Sequence, residues 1–242
     1  MLRFDLLFNP GKERPVSCVP KPVLLLLVIG LVLQLLLHAG LARPEITRKP
    51  LPTPANQSIL SVSSLGDPVA FSRLLMLWLQ GFDHQPGVSI PFIQLDYGHL
   101  IGWLDRILFL DPGSSYPLLS AVRIYSEVPD PAKQRLVLDY VYNKFQENPA
   151  LRWQWMAHAV YVAKHRLRDK KLALRYAREL RLRTTAQMTP DWARQMELFV
   201  LEDMGELESA QVLLGGLIDS GEITDQREID FLLSRLNIKQ TP

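Results

Sequence analysis

The chain has 242 residues, of which 48% are hydrophobic and 21% charged, and its formal net charge is +2. That balance is ordinary for a folded protein, and the length suits one full domain plus an attachment. A lone cysteine, Cys18, excludes a disulfide framework and any paired-cysteine metal pattern.

In chain order, residues 1–21 form a short basic lead, expected as a cytoplasmic tail, before the strongest signal in the sequence. Residues 22–42, PVLLLLVIGLVLQLLLHAGLA, contain no Asp, Glu, Lys or Arg. At ~1.5 Å per residue, a helix over this run spans roughly 32 Å, about one bilayer core. An uncleaved anchor and a signal peptide both fit, the second using Gly40 and Ala42 as small residues before a cut. The apolar run exceeds the ~7–15 residues usual for a signal peptide, which favours a single transmembrane helix. Arg3, Lys12, Arg14 and Lys21 precede it, and Arg43, Arg48 and Lys49 follow. Four cations against three favour an N-terminus inside the cytoplasm, with the C-terminal domain periplasmic or otherwise extracytoplasmic. Cys18 stands before the apolar run, the wrong side for a lipid-modified cysteine.

Residues 43–66 carry four prolines, several Ser and Thr, and no helical period, and are expected to form an extended spacer. The folded part is expected over residues 67–240. Asp67 is placed to cap a helix that begins with Pro68. Residues 84–92 read as a loop, and almost everything beyond has a period near 3.6. Leu100, Leu104, Ile107 and Leu108 make one apolar face; Leu118, Leu119, Val122 and Tyr125 make a second. Leu136, Val137, Tyr140, Val141 and Phe145 make a third. Breakers at 111–117, 128–131, 147–149 and 189–191 separate them, and the short links imply antiparallel neighbours in an all-α domain.

The helices repeat. Pro112 and Pro149 are 37 residues apart, and Pro190 follows after 41 more. RDKKLALRYARELR (168–181) aligns with GELESAQVLLGGLI (205–218), which sets Ala173 on Ala210, again 37 apart. With aromatics at Tyr125, Trp155 and Trp192, these hairpins resemble tetratricopeptide (TPR) repeats, although that family repeats every ~34 residues. The resemblance implies antiparallel helical hairpins stacked as a short solenoid, whose first helices line a concave peptide-binding groove. Carried over residue by residue, it places Arg123 and Glu127 in one repeat, Trp155, His158 and Arg166 in the next, and Trp192, Gln195 and Glu202 in the third. Gly205 is expected as the turn between paired helices and Gly221 as a helix cap. Gly215 and Gly216 are expected to permit close contact with a closing helix.

No catalytic, cofactor-binding or phosphate-cradling motif is present in the sequence. His158 and His165, seven apart, could hold a metal only with a third ligand, and no metal or cofactor is expected. Residues 164–183 hold nine Lys or Arg, while residues 197–230 hold ten acids against Arg227 alone. A basic helix interleaved with an apolar stripe of Leu167, Leu172, Ala173, Tyr176, Ala177 and Leu180 carries its charge on a solvated face. Such charges can attract the acidic repeat beside them or steer a partner. The sequence therefore points to a membrane-anchored scaffold that binds another protein, neither an enzyme nor a nucleic-acid or small-molecule binder. An envelope enzyme or enzyme subunit, and a cytoplasmic-facing domain contacting lipid or nucleic acid, are the competing readings.

Overall fold

The computed structural model describes residues 19–40, 49–85 and 88–236. The chain divides into two compact units, residues 1–47 and 48–242. In the first, α1 (Lys21–Gly40) is one continuous helix of 20 residues. Twelve of its Val, Leu and Ile side chains are exposed, from Val23 to Leu37. Among the described residues no helix is long and apolar enough to cross a membrane; the side chains of α1 are described only as far as residue 37. Residues 41 and 42 of the expected span, and the tail with Cys18, lie outside the described residues.

Among the described residues the second unit is all-α apart from one short antiparallel pair, β1 (His84–Gln85) with β2 (Val88–Ser89). Its helices are α2 (Gln57–Ser63), α3 (Pro68–Gln80), α4 (Tyr97–Leu110), α5 (Tyr116–Arg123), α6 (Pro131–Glu147), α7 (Pro149–His165) and α8 (Lys170–Arg183). They continue with α9 (Asp191–Arg194), α10 (Met196–Met204), α11 (Leu207–Asp219) and α12 (Gln226–Arg235). The sequence breakers double as starting signals. Asp67, Asp130 and Asn148 each turn a side-chain oxygen onto the first free amides of a helix opened by Pro68, Pro131 or Pro149. This satisfies donors that have no partner within the helix, and proline loses nothing there because its amide is not needed. Asp96, Asp169 and Asp225 cap α4, α8 and α12 in the same way.

Asn148 is the whole connection between α6 and α7, so two helices that pack together must run antiparallel. Successive helices pack on one another from α3 to α8 and from α10 to α11, while α5 also meets α7 and α7 meets α10. The buried residues form a large core from Leu51 to Val200 and a smaller one among α10, α11 and α12. Ala173 and Ala210, matched in the sequence alignment, are both fully buried. The expected apolar faces are inside except for Leu136, which is 47% exposed, and Leu119, which is only partly buried.

Two expectations are corrected. Residues 49–63 are not a free spacer. Leu51 and Leu60 are buried, the carbonyls of Leu51 and Pro52 accept from His99 Nδ1 and Trp103 Nε1 at 2.8 Å each, and Ala55 O accepts from Arg106 Nε at 3.2 Å. Proline-rich backbone lacks donors but keeps its carbonyls, and α4 offers its donors at a one-turn spacing that satisfies them. The strap ends in α2, which a period count passes over because seven residues are too few to establish one. Secondly, Gly215 and Gly216 permit no close contact: a Cβ at either would meet open space, and both are exposed on α11. Gly205 and Gly221 do have positive φ, +80° and +72°. In each case the following amide reaches back to close the helix end, Glu206 N to Leu201 O and Glu222 N to Leu217 O.

Candidate binding cleft

Helix α7 carries two stripes. Met156, Ala159, Val160 and Ala163 are wholly buried, and the alanines let neighbouring helices approach closely. Gln154, Trp155, His158 and Tyr161 lie on another side and face a cleft of about 770 Å³. The wall opposite comes from α5, through Leu119, Val122 and Arg123, and from the 3-10 turn Tyr125–Glu127, through Glu127. Trp192 of α9 and Met196 of α10 close the remaining side.

Six of the eight expected groove residues meet here: Arg123, Glu127, Trp155, His158, Arg166 and Trp192. Gln195 and Glu202 do not. Gln195 is buried and donates from Nε2 to Glu228 Oε1 at 2.8 Å, and Glu202 accepts from Arg235 Nε at 2.7 Å. The chain breaks its helix at Gln195, between α9 and α10, so a 3.6-residue count begun at Trp192 loses its phase. Met196 takes the position facing the cleft. Tyr161 also lines the cleft, and its spacing of three residues from His158 puts the two on the same face.

The cleft has an aromatic part and a charged part. Trp153 and Trp192 meet edge to face, with ring centroids 5.9 Å apart, which joins α7 to α9. Trp192 remains 54% exposed. In the charged part Arg166 Nη2 lies 2.7 Å from Glu127 Oε2. Both side chains are about half exposed, so the pair contributes roughly 0–1 kcal/mol to stability. His158 is half-buried; burial pushes its pKa below the ordinary histidine value and the charge of Arg123 adds to this, against the opposite pull of Glu127. The imidazole is therefore neutral at pH 7. Arg123 is exposed and has no carboxylate partner among the described residues.

Among the described residues the lining contains no Ser, Thr, Cys or Lys, and its one carboxylate is held by Arg166. His158 and His165 flank Tyr161, with centroid separations of 6.3 and 4.7 Å. Among the described residues no three His, Cys, Asp or Glu gather as a metal site.

The basic run is largely taken up inside the stack. Lys164 reaches Asp203 at 2.8 Å, and Arg178 and Arg181 each reach the buried carboxylate of Glu197 at 2.8 Å. Lys170 donates to the Asp203 carbonyl, and Arg175 lies over the rings of Tyr142 and Tyr176. The contacts of Lys164, Lys170, Arg178 and Arg181 join the basic α8 and the end of α7 to the acidic α10, while Arg175 packs on α6 and on its own helix. They leave less cationic surface for a polyanion than the residue count suggests.

No known protein family, curated protein or solved structure matches the chain.

Proposed function

We propose that this chain is a membrane-anchored, non-catalytic scaffold whose tetratricopeptide-like domain binds a partner protein in the cleft between α5, α7 and α9. The observation that carries the reading is the cleft itself, where exposed aromatic side chains and a guanidinium without an acid partner among the described residues stand on packed helices. Aromatic and arginine anchors on a rigid support bind without the entropy loss of ordering a loop. The pairing of neighbouring helices, with contacts between α5, α7 and α10, supports the repeat reading.

The anchor reading rests on α1. A helix that exposes twelve large apolar side chains and no charge beyond Lys21 is at odds with water. Extended through residue 42, the apolar stretch has the length of a bilayer core. The excess of cations before it supports an extracytoplasmic domain in an envelope assembly, periplasmic where the cell has two membranes.

A photo-crosslinking residue at position 192, in the full chain expressed in cells, tests the binding site. The same residue at Leu182, exposed on α8, is the control. A discrete adduct after detergent extraction is expected from position 192 alone. Equal adducts from both positions, or none from either, would remove the cleft as the binding site.

A further inference from the structure

Helix α3 is apolar on the face it shows to water. Leu74 and Leu77 are 63% and 64% exposed, and their spacing of three residues sets them side by side. Val69 and Trp78, which fall at the edges of this face, are less exposed. Arg73 is the only charged residue of the helix and stands exposed one turn before Leu77.

This face borders the strap where the strap begins. Trp78 meets Trp103 edge to face, with centroids 5.0 Å apart, and Trp103 Nε1 donates to Pro52 O at 2.8 Å. Lys49 N donates to Gln85 Oε1 and Gln85 Nε2 donates to Lys49 O, both at 2.9 Å. Gln85 stands five residues beyond the end of α3, and between them Phe82 packs on Trp78 with centroids 5.6 Å apart. Six residues, 43–48, separate the apolar run from Lys49. The seven steps from residue 42 to Lys49 reach at most about 25 Å, less than the width of a compact domain of this length, roughly 40 Å. From residue 49 to 81 the chain carries two cations, Lys49 and Arg73, and one acid, Asp67, whose Oδ1 already accepts from the Ala70 amide.

We infer that the exposed face of α3 is seated on the bilayer, with Leu74 and Leu77 in the acyl boundary and Arg73 at the phosphates. This deepens the anchor reading and rests on it. An indole and a guanidinium beside an apolar stripe suit the membrane interface, because their polar ends reach the headgroups while their apolar parts stay below. A face for a partner protein can stand anywhere on a domain; this one stands where the tether is fastened. Exposed apolar patches mark such contacts, and seating this one holds the domain in one orientation to the membrane.

The test uses the full chain, singly inserted in nanodiscs of phosphatidylcholine and phosphatidylglycerol. Cys18→Ser removes the only cysteine, and a bimane label is then carried by Leu74→Cys, Leu182→Cys or Leu33→Cys. Lipids with a nitroxide high on the acyl chain are expected to quench the label at position 74 about twofold, since an interfacial face sits roughly 5–10 Å into the headgroup boundary. Aqueous iodide should leave that label largely unquenched. Position 182, exposed on α8, should show the reverse. Leu77→Glu, at an exposed site, should raise iodide quenching at position 74 to the level at 182. Equal lipid quenching at 74 and 182 overturns the inference. So does protection of 74 from iodide without quenching by lipid, which means that protein covers the face. A label at position 33 quenched by a nitroxide deep in the acyl chain, with 74 unquenched, removes the seating and keeps the anchor. If position 33 escapes every lipid nitroxide, the anchor reading falls as well.

Discussion

Gly102→Ala tests whether the strap belongs to the fold. Gly102 lies inside α4, where replacement by alanine should by itself stabilise the helix by about 1 kcal/mol. The strap reverses that sign. A Cβ at Gly102 would stand 2.4 Å from Cγ of Pro54, and a proline ring can retreat only by the small shift of a change in pucker. Either α4 and the strap separate slightly, at about 1–3 kcal/mol for overpacking, or the strap leaves. Leaving forfeits the burial of Leu51, about 2 kcal/mol, and the hydrogen bonds from His99, Trp103 and Arg106, about 1 kcal/mol each. The strap as a whole is therefore worth about 5 kcal/mol, which makes the small separation the cheaper response. After the helix gain is subtracted, the expected net loss is about 0–2 kcal/mol, or up to roughly 8 °C in Tm for a domain of this size. Hydrogen exchange gives the location: α2 is too short to stand alone, so the amides of Leu60 and Ser64 should lose protection before those of α4. A variant that melts higher than the wild type, with α2 protection intact, would refute the docked strap.

Glu197 is 2% exposed and accepts from both Arg178 and Arg181, so Glu197→Leu should cost about 2–4 kcal/mol in chemical denaturation by stranding Arg181, which is also largely covered. Arg178→Ala, at a mostly exposed position, should stay within about 1 kcal/mol. Gly215→Ala and Gly216→Ala should each stabilise by about 1 kcal/mol, since nothing crowds the added methyl; a loss of stability on denaturant titration would restore close packing at these positions. The depressed pKa of His158 has a signed consequence. The unfolded chain binds the proton more readily, so this contribution is fully present above the ordinary histidine pKa of about 6.5 and is lost as pH falls through it. His158→Gln should reduce the loss of stability between about pH 7.5 and 5. Identical slopes in the two proteins would mean that Arg123 and burial do not act on the imidazole as described.

The sequence by itself determined the helices, their starts and most of their buried faces, because each depends on neighbours three or four residues away. The Asp-Pro and Asn-Pro pairs start α3, α6 and α7 by local hydrogen bonding alone, and Gly205 and Gly221 end their helices through their own backbone freedom. It also named Arg123, Glu127, Trp155, His158, Arg166 and Trp192, which line one cleft. Where the phase broke, at Gln195, the count failed for Gln195 and Glu202. Tertiary structure alone decided the strap. A proline-rich stretch has no periodicity with which to announce burial, and its partners His99, Trp103 and Arg106 are some fifty residues away. It likewise decided the fate of the basic run, because a count of cations cannot show that Glu197 and Asp203 lie beside them. Local spacing fixes which way a side chain leaves its helix; only the packed stack fixes what it finds there.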